Sequence, residues 1–315
     1  VLRLLYARGD AYFPMDELAE RAGVSLSNVQ RAMAELRQRG HSFEQSPGLG
    51  VRLCRPIRPD AAIIEPALTG RRIGRSVICF DEVGSTNDVA ADSSRHGDAD
   101  GLVVLAESQR QGRGRLGRRW QAQPGTAVLM SVVLIDRAGE LSHEALTVAA
   151  GEAVAHGAHQ ACGVQCELKW PNDVLVEGAK LAGVLVETRR VGQGRCVVIG
   201  MGINVGQAPQ AASVGRAATC LSQHAGHPVE RVDVACSVLA RLDDWVRQIA
   251  AGQTGALHDC WMRQCGMIAR RASIMSGGRS FSGVVLDVSP LEGLVLQLDG
   301  GARVLLPAET SSVLE

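Results

Sequence analysis

Residues 107–120, ESQRQGRGRLGRRW, hold five arginines, four of which (Arg113, Arg115, Arg118, Arg119) sit among or just after three glycines (Gly112, Gly114, Gly117), and close on Trp120. Glycine lets the backbone approach a ligand closely, and guanidinium groups hold carboxylates and phosphates through paired hydrogen bonds. This composition suits the clamping of an anion. Two more cations stand out by rarity. Of 33 Lys plus Arg only Lys169 and Lys180 are lysine, which suggests sites that Arg cannot fill; GC-rich codon usage is the plain alternative. Directed hydrogen bonds to a neutral polar ligand can come from Ser85, Thr86 and Asn87. Lys169, Asn172 and Asp173 cluster in KWPND, where Pro171 stiffens the turn.

These groups need elements to hold them. Ser76–Val83 reads as an apolar strand, followed by Gly84 and a helix that Ser85 or Thr86 could also cap. Residues 101–107 form a second strand that runs into the arginine loop, and Ala127–Ile135 a third. The spacing Gly112-x-Gly114-x-x-Gly117 matches a dinucleotide fingerprint formally, but that motif needs a helix at once and an acidic residue about 20 positions on. Here Pro124-Gly125 and a strand follow, so that reading is rejected; a plain solvated basic loop is the alternative. Ser142–Gln160 has an amphipathic helical pattern. Gln165–Trp170, Val174–Val176, the stretch from Lys180 to Glu187 and Cys196–Val205 read as further strands. Gly200 and Gly202 leave room on one face of the last. Helices are expected at Glu230–Ala250 and Ala256–Cys265.

The ends differ in character. Residues 1–58 hold nine Arg against six Asp plus Glu. A helix stopped by Gly23, a turn, and a second helix capped by Ser25 with Leu26, Val29, Met33 and Leu36 on one face make a helix-turn-helix. SFEQSPGLGVRL follows as a hairpin wing. Ser27, Asn28, Gln30 and Arg31 project from the second helix where DNA would lie; a docking module without DNA is the plain alternative. Residues 54–75, with three prolines among charges, read as a linker with one short helix. From Met267 short alternating strands and Gly-rich turns predict a small β-barrel.

Composition sets limits. The chain has 315 residues, 46% hydrophobic but only 3% aromatic, and a formal net charge of zero, so no global field draws it to nucleic acid or membrane. Nine scattered Cys without CxxC spacing point to reduced thiols in the cytoplasm. No stretch reads as a signal peptide or transmembrane helix.

Taken in order, STN, GRGRLGRRW, KWPND, KLAGVLVE and IGMGIN resemble the bacterial biotin–protein ligases over essentially the whole chain, and the ends resemble the bifunctional members that also repress biotin-synthesis operons. The resemblance implies an α+β architecture. Residues 1–60 would be a winged helix-turn-helix, 61–266 a mixed-sheet, class II synthetase-like biotin/lipoate ligase domain, and 267–315 an SH3-like barrel. It implies biotin and ATP as substrates with Mg²⁺, and biotinyl-5′-AMP as the intermediate. A lysine of a biotin carboxyl carrier protein would be the acceptor, operator DNA a second partner, and a homodimer the repressing form. Lys180, Arg115 and Lys169 would carry the chemistry. Ser85, Thr86, Asn87, Gln109, Gly112 and Arg113 would hold biotin, with Arg115, Lys180 and the backbone at Gly183 and Gly200. Arg118, Trp120, Asn172 and Asn204, again with Arg115 and Lys169, would face ATP. Asp173 is a candidate for the metal.

One departure stands out. In the family it resembles, the C-terminal barrel often contributes an Arg towards the nucleotide shortly after an acidic residue; here AETSSVLE has none after Glu309, and Arg303 is the nearest substitute. Rival readings are a biotin sensor without ligase activity, a ligase whose helix-turn-helix is structural, and a lipoate ligase.

Overall fold

The computed structural model describes all residues except 96–98, 192–193, 211–216, 290–291, 309 and 315. At the N-terminus α1 (Leu2–Arg8) precedes α2 (Met15–Ala22), which Gly23 ends in the left-handed conformation at φ 66°. Ser25 then caps α3 (Leu26–Gln38), its Oγ accepting from Asn28 N at 3.3 Å. Val29, Met33 and Leu36 are buried as the periodicity requires. Leu26, expected beside them, is 40% exposed; period fixes the phase of a face, not how far its cover extends. The hairpin β1 (Phe43–Ser46) and β2 (Gly50–Leu53) pairs from Phe43↔Leu53 to Ser46↔Gly50.

Residues 54–75 are not a free linker. Asp60 caps α4 (Ala61–Ala67) by accepting from Ala62 N at 2.8 Å. Ile57, Ile63, Ile64, Leu68 and Ile73 are buried. The apolar residues between the prolines outweigh the linker-like composition, because their burial is worth roughly 1.5–3 kcal/mol each.

Seven strands make the central sheet: β3 (Ser76–Val83), β4 (Leu102–Gln109), β5 (Ala127–Asp136), β6 (Glu167–Lys169), β7 (Asp173–Val176), β8 (Ala179–Val191) and β9 (Gly194–Asn204). Their order is β3-β4-β5-β9-β8-β7-β6. Only the β3–β4 pair is parallel, with α5 (Thr86–Ser93) as its crossover helix. Register places Ser131 opposite Gly200 and Gly183 opposite Gly202.

α6 (His143–Cys162) is capped by Ser142, which accepts from Ala145 N at 3.2 Å. It is not amphipathic: Ala145 to Ala155 are all buried. It packs against the sheet on one side and α8 (Arg231–Ala250) on the other. Small residues permit this, since a Cβ on Gly157 would lie 2.4 Å from Val238 Cγ2. The short α7 (Leu221–Ala225) and α9 (Gly255–Gln264) complete the helical layer.

The C-terminal sheet joins β10 (Arg271–Ser276), β11 (Arg279–Ser289), β12 (Gly293–Leu298), β13 (Arg303–Leu306) and β14 (Ser311–Leu314) in the order β13-β12-β11-β10-β14. Four of these follow the expected alternation. β14 comes from the polar SSVL and is held to β10 by pairing and by Ser311 Oγ donating to Ser276 Oγ at 2.8 Å. No described helix is long and apolar enough to cross a membrane, and the nine cysteines are free thiols.

Candidate active site

The arginine loop is a hairpin between antiparallel β4 and β5. Trp120 N donates to Gly112 O at 3.0 Å and Gly114 N to Arg118 O at 2.7 Å. Its tip is a 3₁₀ turn, Arg115–Gly117, with Leu116 at φ 54° and Gly117 at φ 74°. Beneath it lies a cavity of about 550 Å³, walled by the loop, the start of α5, the β6–β7 turn, β8, β9 and β14. Ser85, Thr86, Asn87, Gln109, Arg113, Arg115, Arg118 and Trp120 line it, as do Lys169, Asn172, Lys180, Gly183, Gly200 and Asn204. Gly112 does not. It serves the loop itself, because a Cβ there would meet Trp120 O at 2.6 Å.

Hydrogen bonds fix the polar end of the cavity. Gln109 Oε1 accepts from Thr86 N at 2.8 Å and Thr86 Oγ1 at 3.1 Å, which leaves the amide nitrogen of Gln109 as the ligand-side donor. Asn87 is spent within the protein. Its Oδ1 accepts from Ser131 Oγ at 2.6 Å and its Nδ2 donates to Glu187 Oε2 at 2.7 Å. Ser85 caps α5 by position but makes no cap bond, so its hydroxyl is available.

Three strand glycines make room for side chains of the protein rather than leaving open space. A Cβ on Gly200 would lie 2.2 Å from Asn87 Oδ1, and one on Gly202 2.4 Å from Trp120 Cε2. One on Gly183 would lie 3.0 Å from Lys180 Nζ and 3.4 Å from Trp120 Cζ3. The registered pair Gly183/Gly202 is thus the seat of the indole, and Lys180 Nζ stands 5.7 Å from its ring centroid. Among the described residues two buried polar atoms here lack partners: Trp120 Nε1, a donor, and Asn204 Oδ1, an acceptor. Unsatisfied buried groups cost about 1–3 kcal/mol each and are groups a ligand can satisfy.

The cations divide into two sets. Arg113 binds Asp88 and Glu187, Lys180 binds Asp173, and Arg115 donates to Asn172 Oδ1 at 3.5 Å, to Ser311 O at 3.3 Å and to Ala308 O. Burial pushes the Arg115 guanidinium below its ordinary pKa, opposed by Asp173 and reinforced by Arg118. Arg118 and Lys169 have no side-chain partner among the described residues, and both line the cavity. Two such cations lining one cavity suit a polyphosphate. Asp173 is taken by Lys180, and among the described residues no three His, Cys, Asp or Glu could hold a metal. The described residues thus offer no all-protein cage, and the Mg²⁺ that ATP implies would be held largely by phosphates and water.

Arg303 does not reach the cavity; β13 is the far edge of its sheet from β14. Instead Ser312, Val313 and Leu314 enter the wall. Glu309 lies outside the described residues. Sequence reasoning also missed Ser131, Asp88 and Glu187. A lone Ser in AVLMSVVLID was the available signal for the first. Ser27, Asn28, Gln30 and Arg31 are all exposed on α3, with Arg31 Nη2 donating to Asn28 Oδ1 at 2.5 Å.

Residues 79–204 match the Biotin/lipoate A/B protein ligase family, which spans the sheet and loop just described. The fold is that of a biotin protein ligase from Aquifex aeolicus in complex with biotin and ATP: TM-score 0.65 at 23% identity, covering 76% of this chain and 99% of that one. Among curated sequences the chain is 33% identical over 262 residues to the biotin–[acetyl-CoA-carboxylase] ligase of Mycobacterium tuberculosis, covering 80% of this chain and 95% of that protein. The bifunctional ligase/repressor BirA of Bacillus subtilis is 28% identical over 313 residues, covering 98% of this chain and 96% of that one. The chain belongs to the biotin protein ligase family.

Proposed function

We propose that this protein activates biotin with ATP and passes it to a lysine of a biotin carboxyl carrier protein. A carboxylate oxygen of biotin attacks the α-phosphorus, a new P–O bond forms, and the bond to the β-phosphate breaks to release pyrophosphate. The carrier lysine, as a neutral amine, then attacks the acyl carbon; the C–O bond to phosphate breaks, AMP leaves, and the amine loses a proton. The observation that carries this reading is the division of cations around one cavity. Lys180, held by Asp173 and the sheet, lines the same cavity as Arg118 and Lys169, which have no side-chain partner among the described residues; in this reading Lys180 would stand where the two reacting anions meet and the other two would take the phosphates. Fixed cations offset the repulsion between reactants and stabilise charge developing at phosphorus.

In this reading Ser85, Thr86 and Gln109 take the polar head of biotin, with Arg115 at the junction of its carboxylate and the phosphate. Trp120 and Asn204 take the nucleotide. The backbone at Gly183 and Gly200 flanks the tail of biotin. The loop closes over the adenylate and keeps water from the anhydride. Incubation with ATP, biotin and a carrier domain, followed by intact-mass measurement, tests it: the carrier should gain one biotinyl group. No gain sinks the ligase reading and leaves a sensor.

The N-terminal helices and hairpin, read as a winged helix-turn-helix, would bind operator DNA as a homodimer and repress when the adenylate is bound. The exposed row on α3 and the full-length similarity to a ligase/repressor support this. The C-terminal sheet would be the SH3-like barrel. Free cysteines fit a cytoplasmic setting. Footprinting of a biotin operon with and without both substrates tests the switch; ligand-insensitive protection would remove it.

A further inference from the structure

Arg113 belongs to the loop that faces the anions, yet its guanidinium is spent on two carboxylates of the protein. Nη1 donates to Asp88 Oδ2 at 2.6 Å, and Nη2 donates to Asp88 Oδ1 at 2.9 Å and to Glu187 Oε2 at 3.1 Å. Asp88 lies in the first turn of α5 and Glu187 on β8, so one side chain ties three elements together. The carboxylates are themselves held. Asn87, anchored by Ser131, donates to Glu187, and Arg189 lies 3.5 Å from Asp88. Two arginines against two carboxylates make the cluster neutral, so Arg113 adds little net field to an anion in the cavity. Its contribution is geometric. It fixes the arm of the hairpin that carries Gly114 and Arg115 to the cavity wall.

We infer that Asp88 and Glu187 are positioning residues of the biotin-activating reaction, stapling Arg113 and the first arm of the 107–120 loop against α5 and β8 so that the loop is preset over the ligands. This rests on the ligase reading for its kinetic consequence but not for its structural one. Preset loops lower the ordering cost of binding and keep a labile intermediate shielded. The three side chains are each about a third or more exposed, so solvent screening limits what the pairs contribute, and the expected effects are moderate.

The test uses the full chain with Asp88→Asn, Glu187→Gln and the double substitution, each close in shape to the original. Limited trypsin digestion with peptide mapping reads the staple directly, since the loop supplies the cleavage sites. Cleavage within residues 110–119 should speed up about five- to tenfold in the double variant, at unchanged unfolding midpoint for the whole protein. Biotin-dependent ATP–pyrophosphate exchange should show the biotin KM raised by a similar factor with kcat within about twofold. Asp88→Glu should recover part of both effects. Unchanged loop cleavage in the double variant overturns the staple. So does a fall in kcat and unfolding midpoint alongside the rise in KM, without recovery by Asp88→Glu. If the unsubstituted protein gives no exchange, the ligase reading falls while the cleavage result still decides the staple. Should the double variant not fold, Arg113→Lys, which keeps the charge but loses the paired geometry, must give the same faster cleavage or the inference fails.

Discussion

Gly202 on β9 yields its side-chain space to Trp120: a Cβ there would stand 2.4 Å from Cε2 and 2.8 Å from Nε1. The indole closing the arginine loop is thereby seated on the sheet, opposite the glycine pair formed with Gly183. Gly202→Ala should push the ring off its seat. The expected cost is about 1–3 kcal/mol of stability from overpacking, with a rise in the KM for ATP larger than that for biotin. Denaturant unfolding and exchange kinetics check this. An unchanged ATP KM would detach Trp120 from the nucleotide.

Lys180 is fixed from both ends, by Ala217 O accepting its backbone N–H at 3.0 Å and by Asp173 at its ammonium. Lys180→Ala should lower the rate of adenylate formation by about 10²–10³-fold, measured by ATP–pyrophosphate exchange. Lys180→Arg should restore little of it, because a planar fork cannot take the place of a compact ammonium at a crowded centre. Full rescue by Arg would show that charge alone suffices.

Arg115 bridges the loop to the C-terminal segment at Ala308 and Ser311. Arg115→Ala should let biotinyl-5′-AMP escape, so that free adenylate accumulates and acyl transfer becomes indiscriminate. Chromatography of the quenched reaction reads this out. Tight retention of the adenylate would mean that the loop is not the lid.

Acid stability should depend on Asp136. Burial works against its charge, but Arg195 and the backbone N–H groups of Leu141, Glu140 and Gly139 outweigh burial and hold the carboxyl below its ordinary value. A depressed folded-state pKa means that the stabilisation is present above the unfolded value of about 4 and is lost as pH falls through the folded one. Asp136→Asn should therefore reduce stability at neutral pH and flatten its decline below about pH 4. Urea midpoints across pH 3–7 test this; parallel curves for the two proteins would assign the acid limb elsewhere.

On the exposed face of α3, Arg31→Ala should, if that face meets operator DNA as proposed, weaken operator binding by about 1–3 kcal/mol and leave carrier biotinylation untouched. Gel-shift titrations at two salt concentrations separate a base contact from a phosphate contact, the latter lowering the salt slope by about one. Equal binding by both proteins would favour a docking role for this unit.

The sequence alone was enough for the order of strands along the chain, the two-helix unit, and the grouping of a glycine–arginine loop with KWPND, Lys169 and Lys180. Those features rest on local periodicity, turn chemistry and rare residue types, which are properties of neighbours in the chain. It was not enough for the burial of residues 54–75, the buried character of α6 or the polar strand β14, because each depends on what packs against it. Nor could it say which cation meets which anion. Arg113 and Arg115 are two residues apart in one motif. Only the packing of α5, β8 and β14 around the loop gives the first to Asp88 and Glu187 and the second to Asn172 and the C-terminal segment, and leaves Arg118 and Lys169 without a side-chain partner among the described residues. Electrostatic partners are chosen by distance in space, and spacing in sequence does not fix it.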